Sequence, residues 1–346
     1  MSRGDRARAR AARTRRECAR RPAHATGAPH AGAALLTVLL LVAVMSVLLT
    51  AVLDDIRFGL RRTGNAQAMA QAQWYALGSE ELARARIHQL DRGDGRTTLE
   101  GGWNGRPFVF PIDGGTMRIR LDDASACFNL NSVVEGAVGQ WARREAGVRQ
   151  YLALMQALGY SPVQAGAMAD ALVDWIDSDQ SPSPAGGEDA AYAHRGPGYR
   201  TSGALLAEVS ELRAIAGYDA AGYARLRPHV CAQPDSALSP LNPNTLGPDD
   251  APLLAMLSDN TLDPAGARRV IAARPPGGWR DVPAFAQAIA VPLPDHVLQQ
   301  LRLRTRYFAL RTEVEYDGAE VVLSALLDAD TAGPVRLVAR RWTPDE

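Results

Sequence analysis

Residues 33–53 read AALLTVLLLVAVMSVLLTAVL, and this apolar stretch decides how the rest of the chain is organised. It holds 21 residues and no charged side chain. A helix rises about 1.5 Å per residue, so this length spans about 30 Å, the thickness of the hydrocarbon core of a bilayer. The stretch is longer than the apolar region of a secretory signal peptide, and Asp54 and Asp55 follow it directly. We therefore interpret it as a membrane anchor.

The charges of the chain are distributed unevenly around this anchor. Residues 1–32 contain nine Arg against Asp5 and Glu17, a formal charge of +7, whereas the whole chain is neutral, so the remainder carries −7. A basic segment before an apolar helix is retained in the cytoplasm, which places the body of the chain on the other side of the membrane. Because binding to nucleic acids is driven largely by phosphate neutralisation, an acidic body predicts no nucleic acid partner.

The helical pattern continues beyond the membrane stretch. Residues 54–90 contain no Pro and are rich in strong helix formers such as Ala, Gln and Leu. Apolar residues recur there at spacings of three and four, at Met69, Ala72, Tyr75 and Ala76. This pattern predicts one helix of about 55 residues, whose second half needs a folded body on which to pack.

Strand signals lie in two places that are far apart in the sequence. Residues 108–121 predict a hairpin that turns at Asp113-Gly114-Gly115, and residues 307–316 and 320–327 flank the strong hairpin turn Asp317-Gly318. Residues 335–342 predict a further strand. Between these regions, helical stretches alternate with Pro and Gly, and we expect residues 202–219 to form a helix followed by a turn. The fold class is therefore α+β, with an all-α block between two groups of strands.

The strongest chemical signal is an acidic cluster at residues 174–192, DWIDSDQSPSPAGGEDAAY. Like charges at this density raise one another's pKa unless a cation is present. Hard cations such as calcium bind six to eight oxygen ligands, and loop carbonyls can supplement the carboxylates. The spacing does not match an EF-hand, so a solvated acidic loop with helix caps is the alternative. The candidate ligands are Asp174, Asp177, Asp179, Glu188 and Asp189.

The cysteines leave two interpretations open. Cys18 lies in the basic segment, so Cys127 and Cys231 are the pair that remains in the body of the chain. In an exported protein these two thiols can form one disulfide. Alternatively, they are two small buried residues that never meet, because spacing alone does not show whether their Cα atoms approach within about 7 Å.

Several motifs together resemble the type II secretion system minor pseudopilin K family. Residues 71–84, QAQWYALGSEELAR, resemble the second half of that family's long helix, and Phe128-Asn129-Leu130-Asn131 matches a near-identical stretch. The acidic cluster matches the family pattern D-W-I-D-x-D…G-x-E-D, with Tyr192 three residues after Asp189. A basic leader that ends in a small residue before an apolar helix resembles the class III signal of pilins. In pilins the fifth mature residue is normally Glu, whereas this chain has Thr37.

The resemblance implies a processed, multipart protein. Prepilin peptidase would cut between Gly32 and Ala33. Residues 1–32 would be the leader, 33–53 the transmembrane part, 54–135 the first part of a pilin-like domain, 136–300 an inserted α-helical domain, and 301–346 the C-terminal strands. The insert resembles helix-hairpin-helix and SAM-like modules. The long helix would pack on an antiparallel sheet.

The resemblance also implies the function. The chain would sit in the inner membrane as a single-pass protein with its folded domains in the periplasm. It would assemble with the minor pseudopilins I and J into a complex at the tip of the pseudopilus and start its assembly for protein export. A subunit with Thr37 lacks the carboxylate that pairs with a neighbour's N-terminal amine, which fits a tip position. The acidic cluster would bind structural calcium.

The sequence has two alternative interpretations from other classes of function. An enzyme is disfavoured because no H-E-x-x-H, G-x-S-x-G or P-loop motif is present in the sequence. The second alternative is a signal-anchored periplasmic binding protein, for example one that takes up DNA through the helix-hairpin-helix-like residues 241–285. Acidic residues balance the arginines of that module, which favours protein docking over DNA binding.

Processing provides the first test. Co-expression with prepilin peptidase should remove residues 1–32 and lower the mass accordingly. Gly32→Ala should abolish this shift, because the side chain at the cut becomes bulkier. Intact-mass spectrometry measures both, and an unprocessed wild-type chain would contradict the expected leader.

Overall fold

The computed structural model describes residues 30–91, 95–193, 198–330 and 333–342. Residues 1–29 of the predicted leader lie outside the described residues. The chain divides into two compact units, the first ending at Thr63 and the second beginning at Gly64. Helix α1, His30–Asp91, contributes to both units, which are described separately below.

The first unit consists of the N-terminal part of α1. Its apolar side chains, from Leu35 to Leu60, are exposed, and the helix is long and apolar enough to cross a membrane. Thr37 is accommodated within this helix because its hydroxyl donates a hydrogen bond to the carbonyl of Ala34, at 2.9 Å. The structure therefore fits the predicted anchor.

The second unit contains nine described strands. They are β1 Pro107–Ile112, β2 Gly115–Asp123, β3 Phe128–Asn129, β4 Val134–Ala137, β5 Gln140–Arg143, β6 Val230–Cys231, β7 Tyr307–Tyr316, β8 Ala319–Asp328 and β9 Arg336–Arg341. An antiparallel sheet has the order β1-β2-β7-β8-β9, so strands from both ends of the sequence pair with each other. This pairing confirms the α+β class and the interruption of the sheet by a helical block.

The helices that follow α1 lie between β5 and β7. They are α2 Glu145–Ala157, α3 Pro162–Ile176, α4 Asp189–Tyr192, α5 Ala220–Leu226, α6 Ala251–Met256, α7 Pro264–Ala272, α8 Val282–Ile289 and α9 Asp295–Gln300. Their buried side chains form one hydrophobic core, which begins at Phe128 and ends at Leu301. This core therefore includes residues that precede the predicted insert boundary at 136.

A second core joins α1 to the sheet. Small residues of α1, among them Ala72, Ala76 and Ala83, are buried together with inward-facing residues of β2, β7 and β8. The Ser79 hydroxyl lies 2.6 Å from that of Thr312 on β7, which shows that the backbones approach closely. The second half of α1 thus packs on the antiparallel sheet, as the sequence predicts.

Two asparagines fix the entrance to the helical block. The Asn129 side chain accepts a hydrogen bond from the Asn131 N–H and donates to the carbonyls of Asp235 and Ala237. The Asn131 side chain bonds both the N–H and the carbonyl of Leu206, at 2.7 and 2.9 Å. Both asparagines are fully buried. Their side chains form hydrogen bonds with buried backbone groups that would otherwise lack a partner in a helix or strand.

The bonds from Asn131 also explain why one expectation was wrong. Residues 202–219 form no α-helix, and their regular part is a 3₁₀ helix, Val209–Ala214. Leu206 gives both of its backbone groups to Asn131, and the Ala207 carbonyl accepts a hydrogen bond from Arg341 on β9. These tertiary hydrogen bonds hold the segment extended despite its helix-forming composition.

Cys127 and Cys231 form a disulfide in the structure, with their Cα atoms 5.8 Å apart. The bond lies beside the parallel pair of β3 and β6, in which Asn129 is the register partner of Cys231. It ties the start of the helical block to a point 104 residues later.

We expect the double variant Cys127→Ser, Cys231→Ser to lose about 2–4 kcal/mol of unfolding free energy, because closure of a long loop restricts the unfolded chain. Chemical denaturation of the processed protein measures this loss. The control is the wild type measured in a reductant, whose midpoint should fall to that of the double variant. An unchanged denaturation midpoint in the double variant would contradict the role of the bond.

Candidate metal centre and assembly surface

Helix α3 places the first half of the acidic cluster. It starts with a capping box, in which the Ser161 hydroxyl and the Gln164 side chain satisfy each other's backbone N–H groups. Pro162 occupies the first helical position, where its missing N–H has no consequence. The helix ends at Ile176, and Asp177 is its extended C-cap residue, so the acidic residues follow where the helical hydrogen bonds stop.

The structure brings three of the five predicted ligands together. One carboxylate oxygen each from Asp177, Asp179 and Glu188 lies within 4.8 Å of the other two. Asp177 and Glu188 are buried, whereas Asp179 is exposed. Asp177 Oδ1 and Glu188 Oε1 have no hydrogen-bond partner among the described residues. Unpaired buried carboxylate oxygens are costly, so this arrangement suits a bound cation.

The other two predicted ligands have different partners. Both carboxylate oxygens of Asp174 accept the Ser183 N–H, at 3.1 and 2.9 Å. Asp189 accepts the N–H and the hydroxyl of Thr201, each at 3.0 Å. These two side chains hold the acidic loop and the following segment in place and do not belong to the group of three.

Sequence reasoning missed Asp170, which also shapes the loop. Asp170 forms an ion pair with Arg143 at 2.9 Å and accepts the Ala185 N–H at 3.1 Å. It lies four residues before Asp174, one turn earlier on α3, and this spacing was the available signal. A side chain at Gly186 would collide with Asp174, so the loop passes close to the helix only because this residue is glycine.

Burial and mutual repulsion raise the pKa values of two carboxyl groups in the acidic group, those of Asp177 and Glu188. Desolvation, followed by the charges of Asp179, Glu188 and Asp174, raises the pKa of Asp177 to about 7. Desolvation also raises the pKa of Glu188, and the charge of Asp174 adds to it. The carboxylates are therefore poorly satisfied on their own. A hard divalent cation would neutralise the repulsion between the carboxylates, and the unpaired oxygens would coordinate it. The residues therefore fit calcium.

The two predicted processing residues lie at the start of α1. Gly32 and Ala33 fall in its first turn, since the helix begins at His30. The predicted cleavage point thus lies within the described helix, while the residues up to position 29 lie outside the description.

The second half of α1 exposes an unusual surface. Residues 64–79 contain no charged side chain for about four helical turns, although most of them are exposed. Trp74 is 68% exposed on this surface. A solvated helix normally presents charges on its outer face, so a surface of Ala, Gln and Gly around a tryptophan indicates a contact with another helix.

Two arginines of the helix-hairpin-helix-like residues, Arg268 and Arg274, form hydrogen bonds within the module. Arg274 donates to the carbonyls of Pro243 and Leu246, and Arg268 donates to that of Pro248. These guanidinium groups support the turn around α6 and α7. They are consequently committed, at least in part, to holding this module together.

The helix that fits a membrane anchor, its packing on the sheet and the inserted helical block together define a pilin-like subunit. The family described as "Type II secretion system (T2SS), protein K" matches residues 126–235 and again 241–302. The type II secretion system protein K of Klebsiella pneumoniae is 40% identical over 256 residues, covering 73% of this chain and 78% of that protein. Protein K of Pectobacterium carotovorum is 32% identical over 317 residues, 90% of this chain and 96% of its own length.

A solved structure agrees with these sequence relationships. A chain of the GspK-GspI-GspJ complex from the type 2 secretion system of enterotoxigenic Escherichia coli superposes with a TM-score of 0.72 and 30% identity, covering 82% of this chain and all of that one. The chain belongs to the type II secretion system protein K family and is a minor pseudopilin. This membership favours the pseudopilin interpretation over the DNA-uptake alternative.

The raised pKa of Asp177 predicts how the metal-free protein responds to pH. A carboxyl whose pKa is higher in the folded than in the unfolded state stabilises the fold below about pH 4, and this stabilisation is lost as the pH rises to about 7. In excess chelator, Asp177→Asn should therefore raise the melting temperature at pH 8 and have little effect at pH 4. Thermal melts across this range test it. A difference that does not depend on pH would contradict the expected titration.

Proposed function

We propose that this minor pseudopilin forms a complex with the companion pseudopilins I and J at the tip of the pseudopilus and starts its assembly for protein export. The chain acts by assembly and not by catalysis. Prepilin peptidase removes the leader after Gly32, the first part of α1 stays in the inner membrane, and the folded body lies in the periplasm.

The uncharged surface of α1 carries this proposal. It offers a helix of another chain about four turns of close contact with Trp74 as an anchor, and large aromatic side chains dominate the energy of such contacts. The solved relative belongs to a complex with GspI and GspJ, which supports the same kind of partner here. Thr37 supports a tip position, because it cannot supply the carboxylate that would pair with a neighbour's terminal amine.

The acidic group supports a structural calcium ion. Asp177, Asp179 and Glu188 would hold the ion through one carboxylate oxygen each, and the unpaired buried oxygens of Asp177 and Glu188 are the reason for this assignment. Bound calcium supplies charge neutralisation and fixes the loop between α3 and α4. Asp174, Asp189 and Asp170 keep that loop in register through their own hydrogen bonds and ion pair.

Assembly is tested by co-expressing the full-length chain with the I and J pseudopilins of its own system and purifying the complex from membranes. Trp74→Ala should reduce the recovered I and J about tenfold or more, since it removes an interface aromatic. Trp342→Ala is the matched control, because that tryptophan is also exposed, at 42%, but lies beyond β9. Equal recovery with both variants would contradict the role of the α1 surface.

Calcium is tested by thermal melts of the purified protein with and without a chelator. A specifically bound ion raises the melting temperature as its concentration exceeds its dissociation constant. We expect chelation to lower the midpoint of the wild type but to leave the double variant Asp177→Asn, Glu188→Gln unchanged. Glu320→Gln, an exposed carboxylate on β8, should respond like the wild type. A wild-type midpoint that ignores the chelator would contradict a structural ion.

A further inference from the structure

A cleft of about 1120 Å³ separates the outer face of the sheet from the helical block. This face is opposite to α1, because Leu323, Ala325 and Leu327 of β8 point into the core beneath that helix. Ser324 and Leu326 alternate with them along the strand and therefore face the cleft. Pockets for small ligands have volumes of about 300–1,000 Å³, so this cleft has room for a short chain segment.

Both walls of the cleft are largely apolar. On the sheet, Leu326 is the register partner of Ala309 on β7 and of Ala339 on β9, so the three side chains form one row across three strands. The helical block contributes three half-buried apolar side chains, those of Leu205, Val209 and Ala232. An apolar ligand between the two walls would remove both of them from water, which favours its binding.

A β-bulge adds a further apolar side chain to the cleft. Leu326 and Leu327 on β8 pair with Ala339 and Leu337 on β9, so Val338 is an extra residue between them. Val338 lines the cleft and is 37% exposed. Bulges re-aim side chains and are common beside functional sites. This irregularity extends the apolar wall while it interrupts the regular ladder.

Two buried polar side chains that line the cleft lack hydrogen-bond partners. Neither the Ser324 hydroxyl nor Gln233 Oε1 has a partner among the described residues, and the two residues are 8% and 2% exposed. Unpaired buried polar groups are costly. A hydroxyl can donate a hydrogen bond, whereas an amide oxygen only accepts one. A peptide chain carries both carbonyl and N–H groups, so it can pair with both side chains, which an acyl chain cannot do.

Charged side chains complete the lining of the cleft. Arg341 of β9 bridges the two walls, because its guanidinium donates to the Ala207 carbonyl at 3.0 Å and pairs with Glu208 at 2.8 Å. Arg227 is exposed and forms no ion pair with a described residue. The chain beyond residue 32 has a formal charge of −7, so an available arginine in this acidic body favours a ligand with a carboxylate.

We propose that this cleft binds an extended peptide segment of another protein, apolar along its length and with an acidic side chain that pairs with Arg227. The Ser324 hydroxyl donates to a carbonyl of that peptide, and Gln233 accepts one of its N–H groups. The apolar side chains of the peptide fill the space between the walls. The site does not involve the α1 surface around Trp74, so it is independent of assembly with the I and J pseudopilins.

Fluorescence anisotropy tests this binding with the full-length chain in lipid nanodiscs, where no detergent can enter the cleft. The probe is a fluorescein-labelled hexapeptide of alternating valine and alanine that ends in glutamate. We expect saturable binding that Arg227→Gln weakens about tenfold, since a charge-assisted pair is lost. Arg280→Gln is the matched control, an exposed arginine outside the cleft, and should bind like the wild type. An absence of saturable binding would overturn the proposal, as would displacement of the probe by dodecanoate with equal affinity for both variants.

Ser324→Ala provides a readout that a purely structural hydroxyl would not give. Removal of an unpaired buried hydroxyl should raise the melting temperature of the free chain, because its desolvation cost disappears. The same change should weaken binding of the hexapeptide several-fold, because a donor is lost. A lowered melting temperature would show that the hydroxyl already supports the fold, and an unchanged affinity would exclude it from the site. Either result would overturn its assignment.

A blocking variant tests the location of the site. Ala309→Trp fills the cleft from its sheet wall and should abolish binding of the hexapeptide. Val322→Trp is the matched control, because it lies on the same face of β8 as Ser324 but outside the cleft. Equal binding by both variants would show that the cleft is not the site. Recovery of the I and J pseudopilins should be the same with both variants, so a failure of peptide binding leaves the proposed function standing.

Discussion

The close packing of α1 on its sheet is the constraint on which the rest of the structure depends. The first part of this helix is apolar enough to suit lipid, whereas in water the second part needs other residues to cover its apolar face. Ala72, Ala76 and Ala83 let the sheet approach, and the buried pair of Ser79 and Thr312 fixes the helix above β7. The covered face then determines which surfaces of the helix stay available to other chains.

The helical block depends on a different kind of interaction. The chain leaves the sheet after β2 and returns to it at β7, so the block is closed by contacts at its base. Asn129 and Asn131 hold this base through hydrogen bonds to distant backbone groups, and the disulfide between Cys127 and Cys231 secures the same region. The acidic loop lies in this block, where Asp177 and Glu188 are buried beside the exposed Asp179.

Regular elements with local signals were predictable from sequence. The apolar run and its periodic continuation predict α1, and Asp317-Gly318 predicts the hairpin of β7 and β8 with nearly its observed bounds. Segment 202–219 was mispredicted because Asn131, more than 70 residues earlier, captures the Leu206 backbone. Such a long-range hydrogen bond leaves no periodic trace in the sequence.

The same contrast applies to the candidate sites. The acidic residues are conspicuous in sequence, but only three-dimensional contacts separate Asp177, Asp179 and Glu188 from Asp174, whose oxygens are taken by the Ser183 N–H.

We propose that this chain occupies the end of a filament, where a wide helical block can be tolerated. Immunogold labelling of the helical block on pseudopili assembled with all companions tests this position. Gold should appear at one end of each filament and be absent along the shaft. Regular labelling along the shaft would contradict it.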